Sequence, residues 1–140
     1  MISFDTENKF NLNASATINS WLNDVIRKEN HQLGELAYIF CSDSYLHDIN
    51  KKFLNHDTLT DIITFDYVED NIINGEIYIS TERVKENALD FDVSFDNELR
   101  RVMVHGVLHL CGHKDESDDQ KGMMRKLEDK YLKLYEEEIK

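Results

Sequence analysis

Proline is absent from this sequence, and glycine occurs only five times. With no Gly/Ser tract, no self-similar period and no low-complexity stretch, nothing marks an interdomain linker or a repeat array. Cysteine is scarce: Cys41 and Cys111 lie far apart in strongly apolar contexts, which suits reduced core thiols and not a disulfide framework. No apolar run approaches the ~20 residues of a bilayer span. The opening Met-Ile-Ser-Phe-Asp-Thr-Glu also lacks the basic and apolar regions of a signal peptide. The expected compartment is the cytoplasm. Positive charge is in short supply, since 16 Lys and Arg against 28 Asp and Glu give a net charge of −12. A field of that sign repels nucleic acid and anionic membrane at long range, so a polyanionic partner requires a local exception.

What the chain does have is material for a core. At 140 residues with 41% apolar side chains, it is long and hydrophobic enough to fold as one domain over residues 1–140. Ile2 and Phe4 alternate in a short strand, and Ile18, Trp21, Leu22, Val25 and Ile26 repeat at helical spacing over about residues 14–30. Leu36 to Cys41 is apolar at every position, the pattern of a strand buried on both faces. Ser42 or Asp43 can cap the next helix, which carries Leu46, Ile49 and Phe53 and exits at Asn55-His56-Asp57. Two strands follow, Asp61 to Tyr67 and Glu76 to Ser80, separated by turn-prone residues. Beyond Ser80 the pattern turns helical. Val84, Ala88 and Phe91 mark one helix; Ser94 opens a second that Gly112 ends; Ser117-Asp-Asp-Gln120, a capping box, opens a third. The order β-α-β-α-β-β-α-α-α predicts an α+β domain: a small mixed β-sheet of about four strands layered with helices.

Chemistry concentrates in Val104 to Asp115. His105 and His109 stand four apart on a predicted helix, so both imidazoles face one point. Two nitrogens at ~2.0–2.1 Å can then share a divalent ion without bending the backbone. Histidine pairs at this spacing are common on ordinary helices. Here, however, the neighbours Leu108 and Leu110 would leave the two rings partly buried and needing partners. Gly112 can take the left-handed conformation that turns the chain back, which brings Asp115 toward the pair as third ligand. His113 is the alternative if the helix runs on. The pattern His-x-x-x-His-x-x-Gly-x-x-Asp has the ligand spacing of extended zincin motifs, whose open coordination position serves catalysis. Gly106, however, stands where a His-Glu-x-x-His protease carries its general-base glutamate. Sequence physics alone therefore reaches a metal-dependent hydrolase with a zincin-like metal-site helix.

The same segment resembles the signature His-Gly-x-Leu-His-Leu-x-Gly-x-Asp-His of the bacterial YbeY family. Thr60-Asp61-Ile62-Ile63-Thr64-Phe65 is similar to that family's Thr-Asp-Val-Leu-Ser-Phe strand, and Asn74-Gly75-Glu76-Ile77 to its Leu-Gly-Asp-Ile strand. Glu98-Leu99-Arg100-Arg101-Val102 looks like its approach to the metal helix, so the resemblance spans about residues 36–130. It implies a single-strand-specific, metal-dependent endoribonuclease of ribosomal RNA maturation, acting at the 16S 3′ end and in ribosome quality control. It also implies one Zn²⁺ and metal-activated water, with ribosomal RNA and the ribosome or its assembly factors as partners and neither DNA nor membrane. Two departures stand out. Asp115 occupies the place of the family's usual third ligand, a histidine, which shifts preference toward harder ions. Leu54 replaces an arginine implicated in activity, so either Lys51, Lys52 or His56 holds phosphate in its stead or the mechanism differs here.

His113, Asp66 and His56 are the candidate helper bases, and Asp61 and Asp66 are candidates for orienting an imidazole. Arg83, Lys85, Arg100, Arg101 and Lys114 are candidate phosphate contacts, although solvated helix charge is the simpler account of most of them. Two rivals stand beside the nuclease reading. One is a non-catalytic ribosome-assembly module whose metal sits in a closed four-ligand shell; the other is a peptidase-like metallohydrolase, which Gly106 disfavours. Beside the ligands, Cys111 reads as a buried inert thiol.

Overall fold

Alternation along the strands decides which helices cover which side of the sheet. The computed structural model describes residues 1–54 and 60–138. Its elements run β1 (Ile2–Thr6), α1 (Ser15–Lys28), β2 (Gln32–Cys41), α2 (Asp43–Leu54), β3 (Ile62–Asp66), β4 (Ile72–Ser80), α3 (Thr81–Asp90), α4 (Phe95–Leu110) and α5 (Asp118–Glu138). This is the order that periodicity predicts. The strands form one mixed sheet, β1-β2-β4-β3, with β1, β2 and β4 parallel and β3 antiparallel along β4.

Leu36, Tyr38 and Phe40 of β2 point to the same face as their partners Ile77 and Ile79 of β4, and all five are buried. Trp21, Leu22, Val25 and Ile26 of α1 pack there, with α4 and Tyr131 of α5 in the same cluster. Each such side chain contributes roughly 1.5–3 kcal/mol. The polar tips are satisfied inside it: Trp21 Nε1 donates to the Tyr131 carbonyl at 2.7 Å, and Tyr38 Oη donates to the Met103 carbonyl at 2.8 Å. The other face carries a smaller cluster of Cys41, Leu46 and Ile63 under α2. Ala37 and Ile39 are half-buried there, so β2 is sealed on one side and only partly covered on the other. β2 and β4 are also longer than the apolar runs imply. Gln32 and Leu33 pair with Ile72 and Ile73 beyond an irregularity at Gly34–Glu35, where the alternation is interrupted.

Helix ends follow their local chemistry. Ser94 Oγ accepts from the Asn97 amide at 3.1 Å, and Ser117 and Gln120 form the reciprocal box expected of them, at 3.1 Å each way. Gly112, at φ +101°, turns the chain after α4. That reversal sets the position of Asp115. The zincin likeness stays at the level of the His-x-x-x-His spacing. Both cysteines are free; Cys41 is buried and Cys111 half-buried, and burial pushes each thiol up to about 12.

Candidate metal centre

α4 is buried nearly all round, as a helix at the centre of a domain must be: Leu99, Met103, Val104, Val107 and Leu108 are all sealed from solvent. Gly106 explains how closely it lies on the sheet. A Cβ there would stand 2.8 Å from Ile77 Cδ1 and 3.2 Å from Ile62 Cδ1, so the residue that removes a peptidase base also lets the helix approach the strands. One stripe of α4 faces away from this packing. Glu98, Val102, His105 and His109 follow at helical steps and line a cavity of about 610 Å³.

His105 is held from behind. Its Nδ1 lies 2.8 Å from Glu128 Oε2 of α5, and the other Glu128 oxygen accepts from Arg101 Nη1 at 2.9 Å. Arg101 in turn donates to Asp129 at 2.6 Å. A carboxylate on Nδ1 accepts its proton's hydrogen bond and fixes the tautomer that leaves the Nε2 lone pair free to ligate, the usual arrangement behind a metal-ligating histidine. Nε2 points at Asp115, 3.3 Å from its Oδ2. Two donors each ~2.0–2.1 Å from a tetrahedral ion stand about 3.3 Å apart, so this pair has the spacing of ligands to one ion. His109 lines the same cavity as an exposed side chain. Among the described residues, no three His, Cys, Asp or Glu side chains stand close enough together to hold an ion, so His109 shares the cavity with the His105–Asp115 pair without completing a triad with it.

Electrostatics favour a cation here. Asp61, Glu98, Asp115 and Glu128 line the cavity against the guanidinium groups of Arg101 and Arg125, an excess of two negative charges. Burial pushes the carboxyls of Asp61 and Glu98 above the usual range. Burial alone would lower His105, but the Glu128 hydrogen bond and the charges of Glu128, Asp115 and Asp61 outweigh it and raise the imidazole. Surroundings that favour a proton on this ring equally favour a metal ion.

Not every expected residue comes to this place. His113 turns away, its Nε2 2.6 Å from Glu29 Oε1 at the end of α1, and Tyr131 donates to the other oxygen of Glu29. Asp66 is exposed at the far end of β3, accepting from the Val68 amide at 2.9 Å. Neither lines the cavity, because Gly112 redirects the chain at His113 and β3 carries Asp66 past the site. His56 lies outside the described residues. Of the phosphate candidates, Arg83 is paired with Asp43 and Glu86, and Arg100 lies over the Tyr135 ring; neither these two nor Lys51, Lys52, Lys85 and Lys114 line the cavity, whereas Arg101 does. Asp61 does line it, accepting from Asn87 Nδ2 at 3.4 Å, and it does not hold a histidine. Sequence reasoning missed Glu128. Its signal was a carboxylate at helical steps among Met124, Tyr131 and Tyr135, on the face of α5 that is buried.

Together the fold and site define a single-sheet α+β protein with a histidine–carboxylate centre in an open, acidic cavity. The family model described as Endoribonuclease YbeY matches residues 2–136. Endoribonuclease YbeY of Flavobacterium psychrophilum is 54% identical over 135 residues, covering 96% of each chain. That of Flavobacterium johnsoniae is 51% identical, covering 96% of this chain and 97% of its own. Among solved structures, the solution structure of TM1509 from Thermotoga maritima matches with a TM-score of 0.70 at 30% identity, over 96% of this chain and 89% of that one. The chain belongs to the YbeY endoribonuclease family.

Proposed function

We propose that this protein hydrolyses RNA phosphodiester bonds at the α4 cavity, with one divalent ion held by His105, His109 and Asp115, either Zn²⁺ as the family resemblance implies or a harder divalent metal that the Asp115 carboxylate admits. The observation that carries this reading is the His105–Asp115 pair, 3.3 Å apart and open to a cavity of about 610 Å³, with His105 fixed from behind by Glu128. When bound, such an ion polarises a phosphoryl oxygen and makes water acidic enough to attack near neutral pH. The chain supplies the rest. Glu128 and Arg101 keep the His105 ring in one orientation, and the turn at Gly112 presents the Asp115 carboxylate to it. Asp61 and Glu98, made more basic by burial, are the carboxylates placed to take up a proton inside the cavity. In this reading the substrate is ribosomal RNA within the cytoplasm, met on the ribosome or with its assembly factors. No helix among the described residues is long and apolar enough to cross a membrane.

A purely structural metal is disfavoured, since His113, the side chain that would help close a four-ligand shell, is bonded to Glu29. Elemental analysis of the purified protein beside a cleavage assay on structured ribosomal RNA, with and without chelator, tests the proposal. His105→Ala and His109→Ala should each abolish bound metal and cleavage while the circular dichroism stays native. Wild-type cleavage by a metal-free double variant would overturn it.

A further inference from the structure

The chain has five arginines among 28 carboxylates, and four of the five are engaged. Arg27 pairs with Asp24; Arg83 reaches Asp43 and Glu86 at 2.7 Å each; Arg101 holds Glu128 and Asp129; Arg100 lies 4.4 Å from the centre of the Tyr135 ring. Arg125 is the exception. Among the described residues it makes no hydrogen bond, ion pair or ring contact, yet it lines the cavity that holds His105 and Asp115. Its helix explains why. The acidic neighbours three and four positions on, where a partner for an α5 arginine belongs, are Glu128 and Asp129, and both are bonded to Arg101. The carboxylates within its reach on the helix are thus spent on positioning His105, and the exposed guanidinium, whose charge acts on Glu98 across the cavity, closes no ion pair at the reaction site.

α3 offers a different chemistry. Both α3 and α5 pack against α4. Phe91, at the end of α3, lines the same cavity with 56% of its surface exposed. The exposed part of that ring gains nothing from burial in the free protein. A guanidinium matches the paired oxygens of a phosphodiester, and an aromatic ring takes a nucleobase by stacking, in any sequence, when the base face is not already covered in a duplex.

We propose that Arg125 and Phe91 form a two-point grip for one unpaired nucleotide, the guanidinium on its phosphate and the ring against its base. The grip gives RNA one cationic and one aromatic contact in a chain of charge −12. This rests on the nuclease reading above and names the residues that select its substrate.

The test is equilibrium binding of a short fluorescein-labelled 2′-O-methyl oligouridine, which cannot be cleaved through its 2′ oxygen, with chelator present so that no metal-activated water attacks it, measured over a range of KCl concentrations. Arg125→Gln should weaken binding about tenfold and flatten the log Kd against log salt slope by ~0.7, the loss of one phosphate contact on a single strand. Phe91→Ala should weaken binding about tenfold at every salt concentration with the slope unchanged, and Phe91→Trp should restore it with fluorescence quenched by the oligonucleotide. Arg27→Gln, the same charge change away from the cavity, should leave the slope where it was. An unaltered slope in Arg125→Gln, wild-type affinity in Phe91→Ala, an unquenched tryptophan, or no binding by the wild-type chain would each overturn the proposal. Absence of cleavage by the metal-loaded wild type would sink the nuclease reading while these binding measurements still decide the grip.

Discussion

Glu128→Gln isolates the residue that holds His105 in place. The glutamate is 8% exposed and divides its oxygens between two donors, Oε2 to His105 Nδ1 at 2.8 Å and Oε1 to Arg101 Nη1 at 2.9 Å. A glutamine keeps the volume but has one acceptor where two are needed. If its oxygen faces His105, the amide nitrogen meets Arg101 donor to donor; if it turns the other way, Nδ1 must accept, the proton moves to Nε2, and that atom can no longer ligate. Either orientation costs the site. Removing a partner of this kind from a metal-ligating histidine typically lowers metal affinity about 10- to 100-fold, and that is the expected loss here. The fold should survive, because Arg101 keeps its 2.6 Å bond to Asp129. Zinc affinity is measured by competition with a chromogenic chelator, alongside thermal unfolding of the metal-free protein. Zinc affinity within twofold of wild type, in a variant that folds normally, would refute the assignment of Glu128 as the residue that orients His105.

Two further expectations follow from packing and charge. Gly106→Ala puts a methyl group 2.8 Å from Ile77 Cδ1, and since the contacts are ends of flexible side chains the cost should be near the low end of the ~1–3 kcal/mol of overpacked cores; urea unfolding with an unchanged midpoint would show that helix α4 does not need the close approach. Glu29 lies below the usual glutamate value of about 4.5: burial pushes it up, but the hydrogen bonds from Tyr131 and His113 and the charges of His113 and Lys130 outweigh that. A carboxylate depressed in the folded state stabilises above its unfolded pKa and loses that contribution as pH falls through the folded one. Glu29→Gln should therefore give a shallower decline in unfolding free energy below about pH 4.5 than wild type, and parallel curves would count against the His113–Glu29–Tyr131 cluster.

The local codes in this chain were strong wherever one element had to satisfy itself. Apolar steps of three and four marked α1, α4 and α5, a reciprocal box opened α5, and Gly112 marked the end of α4 because few other residues tolerate φ near +101°. His105, His109 and Asp115 were legible for the same reason: one helix and one reversal bring them to a single cavity, over a span short enough to read. The extra length of β2 and β4 was not legible, since Gln32 and Leu33 become strand only by pairing with Ile72 and Ile73.

By itself, then, the sequence determined the element order and the α+β class and nominated His105, His109 and Asp115 as candidates, all from patterns between near neighbours in the chain. Tertiary structure alone decided that Glu128 stands behind His105, that His113 answers to Glu29, and that Arg125, among the described residues, closes no ion pair and acts on Glu98 only through its charge. Those outcomes depend on which distant carboxylate reaches which donor first, and no spacing along a single helix carries that information.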